Sequence, residues 1–149
     1  MRAFLALGSN LGDRESYLRD AVRSLGGVVA VSSLWETAPM GGPEKQGAYL
    51  NIVVELDTEL TARQLLGVCH RLESAADRVR TERWGPRTLD VDIIWMDGEP
   101  IAEADLQVPH PRMFDRRFVL APLRELAPEL VTDDVYDRAE GHVVKLGPL

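Results

Sequence analysis

The sequence has a single cysteine, Cys69, and three histidines in 149 residues. One cysteine excludes an internal disulfide and fits a reducing compartment. So few Cys and His, so scattered, exclude a zinc site. No apolar run approaches the roughly 20 residues of a membrane-spanning helix. Met1-Arg2-Ala3-Phe4 lacks the shape of a signal peptide. A cytoplasmic chain with no membrane partner is therefore expected. Repeats, low-complexity tracts and interdomain linkers are also absent, which leaves one domain over 1–149 as the expectation. Positive charge is in deficit: 17 Lys and Arg stand against 24 Asp and Glu, for a formal net charge of −7. That balance disfavours extended binding along a phosphate backbone, so no nucleic-acid partner is expected.

The basic residues that are present are clustered. Arg78, Arg80, Arg83 and Arg87 form one group, and Arg112, Arg116 and Arg117 a second. Arginine clusters in an acidic chain point to a small, compact anionic ligand.

Hydrophobic periodicity gives the elements. "RAFLALGS" reads as a buried strand. "NLGDRESYLRDAVRSLGG" carries Leu11, Tyr17, Leu18, Ala21, Val22 and Leu25 at helical spacing. "VVAVSSLWET" and "YLNIVVELDT" are β-rich, with a Pro/Gly loop between them. "LTARQLLGVCHRLESAADR" opens with a Thr61–Gln64 capping box and continues as an apolar helical stripe. "LDVDIIWM" is a fourth strand, closed by an Asp97-Gly98 turn. "DRRFVLAPLRELAP" predicts a helix that breaks or starts at Pro122. The order strand, helix, strand, strand, helix, strand predicts an α+β fold. It is a ferredoxin-like βαββαβ antiparallel sheet with helices on one face and a helical C-terminal extension.

Within the fourth strand, Asp90 and Asp92 share a face, roughly 7 Å apart along the chain. Val91, Ile93 and Trp95 are expected to face the core. Two carboxylates this close repel unless cations sit between them. Paired Mg²⁺ ions in phosphoryl-transfer sites lie about 3.5–4 Å apart and take a few carboxylates with phosphate oxygens and water. A solvated edge strand is the alternative, and the adjacent arginines and Trp84 weigh against it. "RVRTERWGPRT" reads as a lid-like loop whose guanidiniums suit phosphate. His110, between two prolines, is a candidate phosphate donor or proton-transfer group, or a turn residue. "ALGSNLGD" reads first as a strand-to-helix turn.

The segments "ALGSNLGD", "SSLWETAPMG", "YLN", "RWGPRTLDVDI", "VPHPRMFDRRFVLAPL" and "APEL", in this order, resemble the 6-hydroxymethyl-7,8-dihydropterin pyrophosphokinase family. The resemblance implies transfer of pyrophosphate from ATP to the pterin's hydroxymethyl group, with two Mg²⁺ ions, in folate biosynthesis. It implies that Asp90 and Asp92 hold the metals, with Asp92 near the attacking hydroxyl. Arg87 would lie on the ATP phosphates, and Arg78, Arg80 and Trp84 in a lid. Glu73, Arg80, Ile93, His110 and Arg116 would contact ATP. Tyr49 and Phe118 would sandwich the pterin, and Asn51, Asp90 and the backbones of Thr37 and Met40 would read its edge. The partners implied are these small molecules alone, and a monomer suffices. Two rivals remain at this stage: a ferredoxin-like RNA-binding module stacking bases on Tyr49 and Phe118, and another two-metal enzyme such as a nuclease or phosphatase.

Overall fold

The computed structural model describes residues 1–10, 13–37, 48–77 and 89–149. Strand β1 spans Arg2–Ser9 and helix α1 Arg14–Ser24, with the Asp13 side chain accepting a hydrogen bond from the Ser16 N–H at the helix start. Strands β2 (Val28–Val31), β3 (Leu34–Thr37) and β4 (Tyr49–Asp57) follow, then helix α2 (Ala62–Asp77) and strand β5 (Asp90–Met96). The capping box forms: the Thr61 N–H donates to Gln64 Oε1 at 2.9 Å, and the Gln64 N–H to Thr61 Oγ1 at 3.1 Å. Beyond β5 come a hairpin of β6 (Ile101–Glu103) and β7 (Leu106–Val108), helix α3 (Arg117–Leu126), helix α4 (Asp133–Arg138) and strand β8 (Val143–Gly147).

The large sheet runs β5-β1-β4-β3-β8, with β2 also pairing β4, and every pairing is antiparallel. This is a mixed α+β architecture, as expected. Alternation sorts the side chains. Leu5 and Leu7 of β1, Ile52 and Val54 of β4, and Val91 and Ile93 of β5 lie in one apolar cluster with Leu18 of α1 and with Leu65, Cys69 and Leu72 of α2. Phe4, Val53 and Ile94 lie in a second cluster with Val119, Leu120 and Leu123 of α3. Each such fully buried side chain contributes about 1.5–3 kcal/mol of transfer free energy.

Five sequence expectations change. "VVAVSSLWET" is two strands, because at Ser32 the hydroxyl, rather than a ladder carbonyl, accepts the Val53 N–H at 2.9 Å. Trp95 packs against the second cluster with Phe4 and not against the first. A bulge between the Phe4–Trp95 and Leu5–Ile93 pairs inserts Ile94 and resets the alternation. Helix α3 runs unbroken through Pro122, and it packs on the face opposite α1 and α2, so helices cover both faces. The C-terminal extension is not wholly helical, since β8 pairs with β3.

Cys69 is fully buried, and burial pushes its thiol up to about 12, with the Glu73 and Asp92 carboxylates adding to the effect. A thiolate-selective reagent at pH 8 is therefore expected to label the native protein only as fast as the chain opens, and the urea-unfolded chain at once. Rapid labelling of the native protein would contradict this placement of α2.

Candidate active site

The strand registers build the site. Gly8 pairs with Asn51 on one side and Asp90 on the other, and Ala6 pairs with Val53 and with Asp92. Paired residues share a sheet face. Ala6, Gly8, Asn51, Asp90 and Asp92 therefore share the face that α3 covers further along. Thr37 joins them, because Thr37 pairs with Tyr49, two residues before Asn51 on β4. Helix α3 begins only at Arg117, and among the described residues the sheet face opens beside its first turn. The opening is a cleft of about 630 Å³ lined by residues of β1, β3, β4, β5, the 110–119 segment and Glu140–Gly141.

One group of cleft residues is aromatic and amide-bearing. The Asn51 Nδ2 donates to Thr37 Oγ1 at 2.8 Å, a buried bond that fixes the direction of the Asn51 carbonyl. Tyr49 and Phe118 line the same space. The Tyr49 phenol is raised above its ordinary value by burial first and by the nearby Asp90 carboxylate second, so it stays a neutral donor. Arg14 donates to the Ala48 carbonyl at 2.6 Å and lies 3.6 Å from Glu36, which pins the start of β4 to α1.

A second group is charged. Asp90 is half-buried and Asp92 exposed, as the shared face requires. His110 and Arg116 line the same cleft. His110 is held at two points: its backbone N–H donates to the Ile94 carbonyl at 2.9 Å, and its ring Nδ1 accepts the Arg112 N–H at 3.2 Å. With Nδ1 occupied as an acceptor, Nε2 carries the proton in the neutral ring and is a donor. The Arg116 guanidinium lies 5.6 Å from the Phe118 ring centroid, a cation–π contact between the two groups. Among the described residues no group of three or more His, Cys, Asp or Glu forms an all-protein metal cage. Two same-face carboxylates instead fit Mg²⁺, which takes one or two carboxylates and completes its shell with phosphate oxygens and water.

Residues 4–128 match the family model described as 7,8-dihydro-6-hydroxymethylpterin-pyrophosphokinase. The chain belongs to that family. It is 47% identical over 133 residues to the 2-amino-4-hydroxy-6-hydroxymethyldihydropteridine pyrophosphokinase of Bacillus subtilis (strain 168), an alignment covering 86% of this chain and 79% of that one. It is 44% identical over 135 residues to the protein of the same name from Methylorubrum extorquens, covering 87% and 85% of the two chains. It is 37% identical over 158 residues to the one from Haemophilus influenzae, covering 98% of each. Membership makes this chain a transferase of the kinase type, with ATP as co-substrate. No helix among the described residues is long and apolar enough to cross a membrane.

Set against the pyrophosphokinase expectations, the cleft gathers Thr37, Tyr49, Asn51, Asp90, Asp92, His110, Arg116 and Phe118. Two expected ATP residues lie elsewhere. Ile93 is 5% exposed in the cluster under the sheet, so its side chain is not in the cleft. Its backbone N–H and C=O share the orientation of those of Val91, toward the outer edge of β5, since strand residues alternate in this respect. Glu73, on α2, accepts the Val91 N–H at that edge at 3.0 Å. Met40, Arg78, Arg80, Trp84 and Arg87 lie outside the described residues. Sequence reasoning missed Gly8, Arg112, Asp115 and Glu140 as lining residues. Gly8 had a signal in "GSNLG" and Arg112 in its basic cluster; Glu140 had none.

Proposed function

We infer that this chain carries out the reaction of its family at this cleft: pyrophosphate passes from ATP to the hydroxymethyl oxygen of 6-hydroxymethyl-7,8-dihydropterin, and AMP leaves. The observation that carries the reading is the placing of a flat-ligand pocket and a carboxylate pair on one sheet face, two strands apart. The pocket is Tyr49, Phe118 and the Thr37-oriented Asn51, and a pterin is flat and rich in amide-like donors and acceptors. The hydroxymethyl group of a pterin held there points toward Asp90 and Asp92. These two would hold two Mg²⁺ ions, which when bound neutralise and polarise the phosphate oxygens. His110 donates from Nε2 and Arg116 from its guanidinium to the phosphates, and Arg87, Arg78 and Trp84 close on them from the 78–88 segment. Glu73, Arg80 and the backbone of Ile93 hold the adenosine end, and the backbones of Thr37 and Met40 read the pterin edge. Phosphoryl transfer asks for position and charge cancellation more than covalent help, and these groups supply both.

The same reading takes 1–149 as one ferredoxin-like domain, a cytoplasmic monomer that needs no nucleic acid. The strand order β5-β1-β4 followed by β2 and β3, with helices after β1 and β4, supports the fold assignment. Mass spectrometry of the products formed from MgATP and the pterin tests the reaction. AMP and a pterin diphosphate are expected, and ADP with a pterin monophosphate would overturn it. Tyr49→Ala and Phe118→Ala are each expected to weaken pterin binding by about 5- to 150-fold, from the loss of one face of a stack worth ~1–3 kcal/mol, and to change ATP binding far less. Calorimetric titration of each ligand checks this, and equal losses for both would assign the rings to the core alone.

A further inference from the structure

The second arginine cluster divides in the fold. Arg117 is committed to structure: its guanidinium donates to the carbonyls of Tyr136 and Asp137 at 3.3 and 3.0 Å and lies over the Tyr136 ring. Arg116 lies in the cleft against Phe118. Arg112 also lines the cleft, but its side chain makes no hydrogen bond, ion pair or ring contact among the described residues. That is unusual in this molecule. Every described arginine outside the cleft except Arg71 holds a carboxylate or a backbone carbonyl. Nor is Arg112 taken by Asp115 or Glu140, two carboxylates that line the same cleft, since neither forms a salt bridge with it.

The backbone beneath Arg112 is fixed. The Met113 side chain next to it is 1% exposed in the second apolar cluster, and the Met113 N–H donates to the His110 carbonyl at 3.2 Å. The Arg112 N–H holds His110 Nδ1 at 3.2 Å. Thus one anchored turn brings a ring donor and a guanidinium without a partner among the described residues to the cleft that Asp90 and Asp92 also line.

We propose that Arg112 is a third cationic contact, with His110 and Arg116, for the phosphate groups of the bound nucleotide. The inference rests on the reading of this cleft as a nucleotide site. A guanidinium binds phosphate oxygens through paired N–H donors, and the anchored turn lowers the ordering that binding requires.

Calorimetry on Arg112→Ala, Arg112→Lys and Arg19→Ala tests the proposal. Arg19 sits on α1, paired with Glu15, so Arg19→Ala removes the same charge away from the cleft. The probes are MgCl₂ with a non-hydrolysable ATP analogue, AMP, and 6-hydroxymethyl-7,8-dihydropterin. Arg112→Ala is expected to weaken the ATP analogue about tenfold, as for loss of a charged hydrogen bond, with a smaller change for AMP and none for the pterin. Arg112→Lys recovers part of the loss, and Arg19→Ala leaves all three unchanged. The His110 contact survives every substitution, because its donor is the backbone N–H. A loss no greater than that of Arg19→Ala overturns the proposal, and so does an equal loss for the pterin. Failure of the wild-type protein to form AMP would instead count against the reaction assigned above, and it is read separately from binding of the analogue.

Discussion

Asp92→Ala is expected to lower kcat by about a thousandfold or more, ~4 kcal/mol of transition-state stabilisation, while the fold stays intact. The two halves of this result have separate physical causes. Asp92 is exposed, and its carboxylate makes no hydrogen bond or ion pair among the described residues. Its removal should therefore change folding stability by no more than about 0.5 kcal/mol. Its loss matters only when phosphate is bound. The described cleft-lining residues include the carboxylates of Asp90, Asp92, Asp115 and Glu140 and the guanidiniums of Arg112 and Arg116. A polyphosphate entering beside so many carboxylates needs cations of its own, and on the proposed reading Asp92 would hold them. Turnover at saturating Mg²⁺, with thermal melting on the same sample, checks both halves. Near-normal kcat would remove Asp92 from the metal site. A collapse in melting temperature would make its role structural.

Much of this was legible because the relevant patterns are local. The Asp-x-Asp pair needs only the two-residue period of a strand, and the α2 start needs only Thr61 and Gln64. Other features are settled by partners remote in sequence. "DIIWM" is apolar after the aspartate, so nothing in it marks Ile94 as a bulge; that is decided by the pairing of Phe4 and Leu5 on β1. "FVLAPL" is buried from Val119 through Leu123 without a stripe, so its sequence does not say which sheet face it covers. Ser32 reads like any strand residue until its hydroxyl meets Val53. In the site, Arg112, Arg116 and Arg117 are indistinguishable as letters. Only the carbonyls of Tyr136 and Asp137 show that Arg117 is committed elsewhere. The roles of Tyr49, Asn51 and Phe118 came from family resemblance, since an aromatic and an amide at a strand end specify no ligand by themselves.

Gly8→Val is expected to leave the fold stable and to weaken pterin binding by more than about 100-fold, ~2.7 kcal/mol. Gly8 is not among the glycines with positive φ, so a side chain meets no backbone penalty there, and valine suits a strand. The obstacle is space on the cleft side. A Cβ at this position would lie 3.0 Å from Asn51 Oδ1 and 3.6 Å from Tyr49 Cδ1. The Asn51 amide cannot withdraw freely, because its Nδ2 is bonded to Thr37 at 2.8 Å in a buried position. The branched methyls of valine would stand beyond that Cβ, on the cleft floor between the groups assigned to the pterin edge. A flat ligand would then have to tilt out of its stack or lose the Asn51 carbonyl. Alanine adds the Cβ alone and should give an intermediate loss of about tenfold, since a shift of a few tenths of an ångström by Asn51 relieves the contact. Titrations of Gly8→Ala and Gly8→Val with pterin and, separately, with MgCl₂ and a non-hydrolysable ATP analogue check the order. The analogue should be affected least, because His110 and Arg116 come from another segment. Unchanged pterin affinity in Gly8→Val would move the pterin off this face of β1, and equal losses for both ligands would mean that valine distorts the sheet instead of occupying the pocket.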